Sequence, residues 1–222
     1  MQEYLYLYKN IFLLFSLHLV FIIGYLLISI KNKTKPKVSS RNLDSIQTIK
    51  VLLKNQDNKV NINIEPDKTK THLDIHSNTL IINSKIAQMP ILQEILKTSI
   101  YILGSGSQWF KIQDLIKVWL EIIWYLTIGV TFLALIFRED EILRKINVIL
   151  LLFITLFLFI DIFQRNKLRD MFFKKLKDNQ IIDQNEIKTT TKILTKWVYK
   201  NLSFYFSPIN DLISLLKRPK EV

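Results

Sequence analysis

The stretch from Ile11 to Ile30, IFLLFSLHLVFIIGYLLISI, is 20 residues long and carries no formal charge. Val118 to Phe137 is another 20 residues, charged only at Glu121 near its start. Ile146 to Phe163 adds 18, charged only at Asp161 near its end. A helix rises about 1.5 Å per residue, so about 20 apolar residues cross a hydrocarbon core of roughly 30 Å. The three runs predict a mainly α integral membrane protein with transmembrane helices at 11–30, 118–137 and 146–163. The first is long for a signal peptide and has no small-x-small cleavage pattern before Lys31, so it reads as an anchor.

Charge sets the expected orientation. The net charge is +12, with 25 lysines and 6 arginines, and much of it flanks the apolar runs. Lys31, Lys33, Lys35, Lys37 and Arg41 follow the first run with no acidic residue among them. Arg165, Lys167, Arg169, Lys174, Lys175 and Lys177 follow the third, against Asp170 alone. The turn 138–145 is balanced, with three basic and three acidic residues. By the positive-inside rule both basic flanks face the cytosol (or an organelle matrix), in a cytoplasmic or organellar inner membrane. Residues 1–10 and 138–145 are then outside, and 31–117 inside. Lysines beside membrane runs serve topology and anionic lipid, and no aromatic-interleaved basic motif or helix-turn-helix pattern accompanies them, so nucleic acid is not the expected partner. The absence of cysteine removes disulfides, thiolate metal sites and a cysteine nucleophile.

Between the first two runs the pattern predicts a small α/β insertion of helix, β-hairpin and helix. Asp44 is the candidate N-cap of a helix through Leu53. Val60, Ile62 and Ile64 alternate with polar residues, and a second strand is expected from His72 to Ile82 after Pro66-Asp67. Pro90 suits the first turn of a helix over 90–103. On that helix Leu92, Ile95, Leu96, Ser99, Ile102 and Leu103 share one face, with Gln93, Glu94, Lys97 and Tyr101 opposite. Gly104-Ser105-Gly106-Ser107 reads as a flexible turn.

Other polar residues have plain readings. His72, Asp74 and His76 share one strand face and could together touch a metal, though a solvated face is the simpler expectation. His18, in the middle of the first run, is expected to pack as a neutral imidazole between helices.

The order of these parts resembles the YugP-like family of bacterial membrane zinc metallopeptidases. That family's hairpin carries D-H-x-D-P before a β-branched run; here Thr71-His72-Leu73-Asp74-Ile75 leads into Thr79-Leu80-Ile81-Ile82. Its HExxH helix falls on Gln93-Glu94-Ile95-Leu96-Lys97. Its helix ending in a K-Q-L-x-x-x-G-like turn is matched by the stretch from Phe172 to Ile182, and counting back places Arg165 at the third zinc-ligand position. The resemblance implies that Glu94 is a vestigial general base and that Gln93, Lys97 and Arg165 are vestigial metal positions. Zinc needs lone pairs: an amide oxygen is a poor donor, and ammonium and guanidinium groups have none to offer. Zinc, the family's cofactor, is therefore expected to be absent, and with it the acidified water that Glu94 would deprotonate.

The tail leaves two readings. Residues 164–192 form a basic cytosolic helix, and 193–222 form either an interfacial helix or a fourth span. The combined expectation is a non-catalytic membrane scaffold or subunit, with the bilayer and protein partners in a membrane complex as its surroundings. The alternatives are an active membrane zinc peptidase with atypical ligands, and an organelle- or symbiont-encoded subunit of an inner-membrane complex.

Overall fold

Helices dominate the structure, a computed structural model that describes residues 2–33, 35–54, 60–65, 72–74, 77, 79–84, 88–137 and 141–216. In chain order they are α1 (Gln2–Lys31), α2 (Ser45–Lys54), strands β1 (Asn61–Glu65), β2 (His72–Asp74) and β3 (Thr79–Asn83), then α3 (Leu92–Gly104), α4 (Gln108–Ile136) and α5 (Glu141–Asp178). A 3-10 turn at Gln184–Glu186, α6 (Ile187–Val198), a 3-10 stretch at Lys200–Phe206 and α7 (Ser207–Leu216) complete the list. The chain divides into two units. One holds Met1–Ile30, Asp114–Phe163 and Tyr199–Val222; the other holds Lys31–Gln113 and Gln164–Val198.

In the first unit, the second apolar run lies in α4 except for Phe137 just beyond its end, and the third lies inside α5, each helix being long and apolar enough to cross a membrane by length and composition. The first run lies inside the 30-residue α1, whose described apolar part is the shorter stretch Phe15–Lys31. His18 is buried where these elements meet. Its Nδ1 is 2.5 Å from the Tyr205 hydroxyl and its Nε2 is 3.3 Å from the Leu151 carbonyl. A carbonyl only accepts, so Nε2 carries the proton, and a neutral ring then accepts the Tyr205 O–H at Nδ1. One imidazole thus ties α1 to α5 and to the 3-10 stretch.

The second unit has the larger apolar core. Ile49 and Leu52 of α2, Leu80 and Ile82 of β3, and Leu92, Ile95 and Leu96 of α3 are buried with Phe110, Phe172, Leu176 and Leu194. Helix α2 is capped as expected: Asp44 Oδ1 accepts the Gln47 N–H at 2.7 Å, and Gln47 Oε1 accepts the Asp44 N–H at 3.3 Å. Gly104 is needed where α3 ends, because a Cβ there would lie within 2.6 Å of three ring carbons of buried Phe110. The turn after it is ordered: Ser105 Oγ donates to the Ile102 carbonyl at 2.7 Å, and the Ser107 N–H to the Gly104 carbonyl at 2.8 Å.

Four expectations need correction. The strand expected over His72 to Ile82 is two strands, and the sheet is three-stranded in the order β1-β3-β2 rather than a hairpin of β1 with its successor. Here β2 is antiparallel to β3, while β1 runs parallel to it. Local polar bonding divides the stretch: Ser77 Oγ donates to Asp74 Oδ2 at 2.7 Å, and Thr79 Oγ1 to the Ser77 carbonyl at 3.2 Å. Pro90 lies before α3, not in its first turn; the helix starts at Leu92, and the Pro90 carbonyl accepts the Ser39 N–H at 2.6 Å. The basic segment 164–192 is no separate helix, since α5 runs unbroken to Asp178. The turn that closes it passes through Gln180, in the left-handed region with φ 54°. Finally, 193–216 is neither one interfacial helix nor a continuous fourth span, because it is split among α6, the 3-10 stretch and α7. Asn201 interrupts it by donating to Asp161 Oδ2 at 3.0 Å, and Pro208 restarts a helix in the first turn of α7.

Candidate functional site

The amino-terminal end of α3 carries the residues of most chemical interest, and a strand-like segment covers it. Val38 and Ile91 form an antiparallel bridge, and the Leu92 N–H donates to the Lys37 carbonyl at 2.8 Å. That bond satisfies one of the four N–H groups a helix start leaves without intrahelical partners. Ile91, the N-cap, offers no side-chain bond. Backbone from 35–39 therefore does what a capping side chain does elsewhere.

Gln93 completes this clamp. Its Nε2 donates to the Lys35 carbonyl at 2.5 Å, and its Oε1 accepts the Lys37 N–H at 3.0 Å. A primary amide has a donor and an acceptor side by side, so it can pair with an extended backbone as a neighbouring strand would. The oxygen that would have to face a metal is engaged with backbone.

One turn on, the Lys97 ammonium is 3.6 Å from Glu94 Oε2. That oxygen is shielded from solvent and has no hydrogen-bond partner among the described residues, although the Glu94 side chain as a whole is 23% exposed. The lysine is thus the neighbour that offsets its charge. Both residues are half-buried, rather than on the open polar face that helical periodicity alone implies.

Arg165 is 1% exposed on α5, with its Nη1 donating to the Trp197 carbonyl at 3.2 Å and its Cζ 5.2 Å from the Trp197 ring centroid. The carbonyl belongs to the last turn of α6, where unpaired C=O groups and the helix dipole favour a cation. The aromatic face adds cation–π attraction. Gln93, Glu94 and Lys97 are brought together by α3, whereas these contacts tie Arg165 to α6.

Of the strand trio, Asp74 is half-buried and accepts from Ser77, as described above. His72 lies on β2 opposite Ile81, and His76 lies outside the described residues. Among the described residues no three His, Asp or Glu groups are placed to hold a metal ion. Judged by donor chemistry, Gln93, Lys97 and Arg165 do not fit zinc.

Sequence reasoning passed over Glu186, which is fully buried. Its Oε1 accepts the Ser40 N–H at 2.8 Å and its Oε2 the Asp183 N–H at 2.9 Å, closing a capping box with Asp183. The signal was Asp183-Gln184-Asn185-Glu186, a D-x-x-E pattern ahead of a helix. The bond to Ser40, 146 residues away in the chain, had no local signature.

The chain matches no protein-family model, no curated protein and no solved structure.

Proposed function

We propose that the protein is a non-catalytic integral membrane scaffold or subunit, keeping the framework of a YugP-like peptidase with its zinc-binding positions turned over to packing. The observation that carries the reading is the Gln93 amide, both ends of which bond the backbone of residues 35–37. Lys97 beside Glu94 and Arg165 over Trp197 are likewise engaged in structural contacts. Gln180 supports the kinship: it falls at the glycine of the K-Q-L-x-x-x-G pattern and takes the left-handed φ that favours glycine. There the Ile181 N–H bonds the Leu176 carbonyl and the Gln180 N–H bonds that of Lys177, a Schellman closure.

The membrane part of the proposal has α1, α4 and α5 as three spans. Large apolar side chains along all three lie open, among them Val20 at 65%, Phe132 at 64% and Phe159 at 55% exposed. Apolar surface on that scale is costly in water and suited to lipid tails. The basic flanks place residues 31–117 on the cytosolic or matrix side. A cysteine at Ser40 should then be protected from an impermeant thiol reagent added outside, and one at Glu139 should be labelled. The opposite pattern would reverse the orientation.

Metal analysis addresses the non-catalytic part. The purified full-length protein is expected to contain no stoichiometric zinc by plasma mass spectrometry. One zinc per chain, lost on Glu94→Ala or His72→Ala, would overturn the reading.

A further inference from the structure

Five lysines from two distant stretches of chain surround one concavity of about 360 Å³. Lys33, Lys35 and Lys37 come from the segment after α1, and Lys188 and Lys192 from successive turns of α6, with Pro36 and Thr189 completing the lining. Lys37 Nζ donates to the Asn185 carbonyl at 3.4 Å, and among the described residues none of the five forms an ion pair. The carboxylate of Glu186, on the turn leading into α6, is fully buried and already bonded to the Ser40 and Asp183 N–H groups. Among the described residues, the concavity is therefore a concentration of positive charge without an ion-paired counter-charge. Mutually repelling ammonium groups favour a shared anion, and phosphate is the anion that several lysines can bond at once.

Chain connectivity points to the source of that phosphate. Lys33 is two residues beyond the end of α1, and Lys37 is six beyond it. At roughly 3.5 Å per extended residue, these lysines lie within about 20 Å of the helix end. With 11–30 spanning the bilayer, they fall within reach of the headgroup layer, where basic pockets meet anionic lipid. We propose that the concavity binds the phosphate headgroup of an anionic phospholipid in the leaflet at the carboxy-terminal end of α1, an inference that rests on the membrane reading above.

The test uses full-length protein in nanodiscs of phosphatidylcholine with and without phosphatidylglycerol, and native mass spectrometry of the lipid retained after release. Wild type is expected to retain phosphatidylglycerol in preference to phosphatidylcholine. The quadruple variant Lys35→Gln, Lys37→Gln, Lys188→Gln, Lys192→Gln should lose that preference, at roughly fivefold per charge removed. A charge-matched control, Lys54→Gln, Lys111→Gln, Lys174→Gln, Lys177→Gln, should keep it. The double variant Lys188→Gln, Lys192→Gln gives the same reading in smaller measure if the quadruple does not purify. Equal retention by the site and control variants overturns the proposal. So does displacement of the lipid by equimolar glycerol phosphate or inorganic phosphate, which marks a site for a soluble anion, or tighter binding of a DNA oligonucleotide. Alkaline carbonate extraction reads the membrane premise separately. Release of the chain sinks that premise and the proposal with it, whereas retention without phosphatidylglycerol preference sinks the headgroup site alone.

Discussion

Leu96→Asp is expected to eliminate folded protein, while Glu94→Gln, two residues away on the same helix, leaves abundance and partner recovery unchanged. Leu96 is completely buried in the core that joins α2, β3 and α3. Replacing it forfeits roughly 1.5–3 kcal/mol of apolar burial. It also places a carboxyl group where no partner awaits it, at a further cost of about several kcal/mol or a shift to the neutral form. The sum is comparable with the roughly 5–15 kcal/mol of a whole domain. Glu94→Gln keeps the shape of the side chain and gives up only the partly exposed pairing with Lys97, worth at most about 1 kcal/mol. A general base would give the opposite ranking, with activity falling by about 10²–10⁴ while the fold survives. Membrane abundance, partner recovery and peptidase activity, compared for the two variants, separate the cases. If Glu94→Gln abolishes a peptidase activity in folded protein, the scaffold proposal is wrong.

Glu186→Ala is expected to be the second most damaging change, through the loss of backbone contacts alone. The carboxylate accepts backbone N–H groups from two segments, Ser40 and Asp183, and is itself fully buried. Hydrogen bonds to a charged acceptor contribute about 1.5–3 kcal/mol each, and a buried donor left without its partner adds a penalty. A loss of roughly 3–5 kcal/mol follows, concentrated where residues 35–41 dock. Limited proteolysis should therefore cut this segment in the variant before global unfolding, and the thermal midpoint in detergent should fall. Asp183→Ala, which removes a cap but keeps the Ser40 bond, should cost about 1 kcal/mol. Equal midpoints for Glu186→Ala and wild type would mean that the segment is held by other contacts.

Much of the architecture was legible because it depends on local periodicity. Runs of helical length with at most one charged residue placed the apolar stretches of α1, α4 and α5, and Asp44 announced the start of α2. The face of α3 carrying Leu92, Ile95, Leu96, Ser99, Ile102 and Leu103 was read correctly, and each of these residues is buried. Strand pairing was not legible. Alternation in Val60-Asn61-Ile62-Asn63-Ile64 assigns faces but names no neighbour, so the parallel pairing of β1 with β3 was out of reach. Of the apolar members of that alternation, Val60 is buried in the core just before β1, while Ile62 and Ile64 remain exposed on an edge strand.

The sequence by itself determined which stretches are apolar enough for a bilayer, where the charge collects, and that Gln93 is a poor zinc donor while Lys97 and Arg165 have no lone pair to offer. These follow from side-chain chemistry and spacing, which need no partner from elsewhere in the chain. Only the tertiary structure decided what those residues do instead: Gln93 clamps the backbone of 35–37, Arg165 caps α6 over Trp197, and Glu186 reaches Ser40. It also gathered Lys33, Lys35 and Lys37 with Lys188 and Lys192 around one concavity. The physical reason is that each of these contacts joins groups more than 30 residues apart in the chain. Their meeting is set by the packing of whole elements, and no local pattern of residues encodes it.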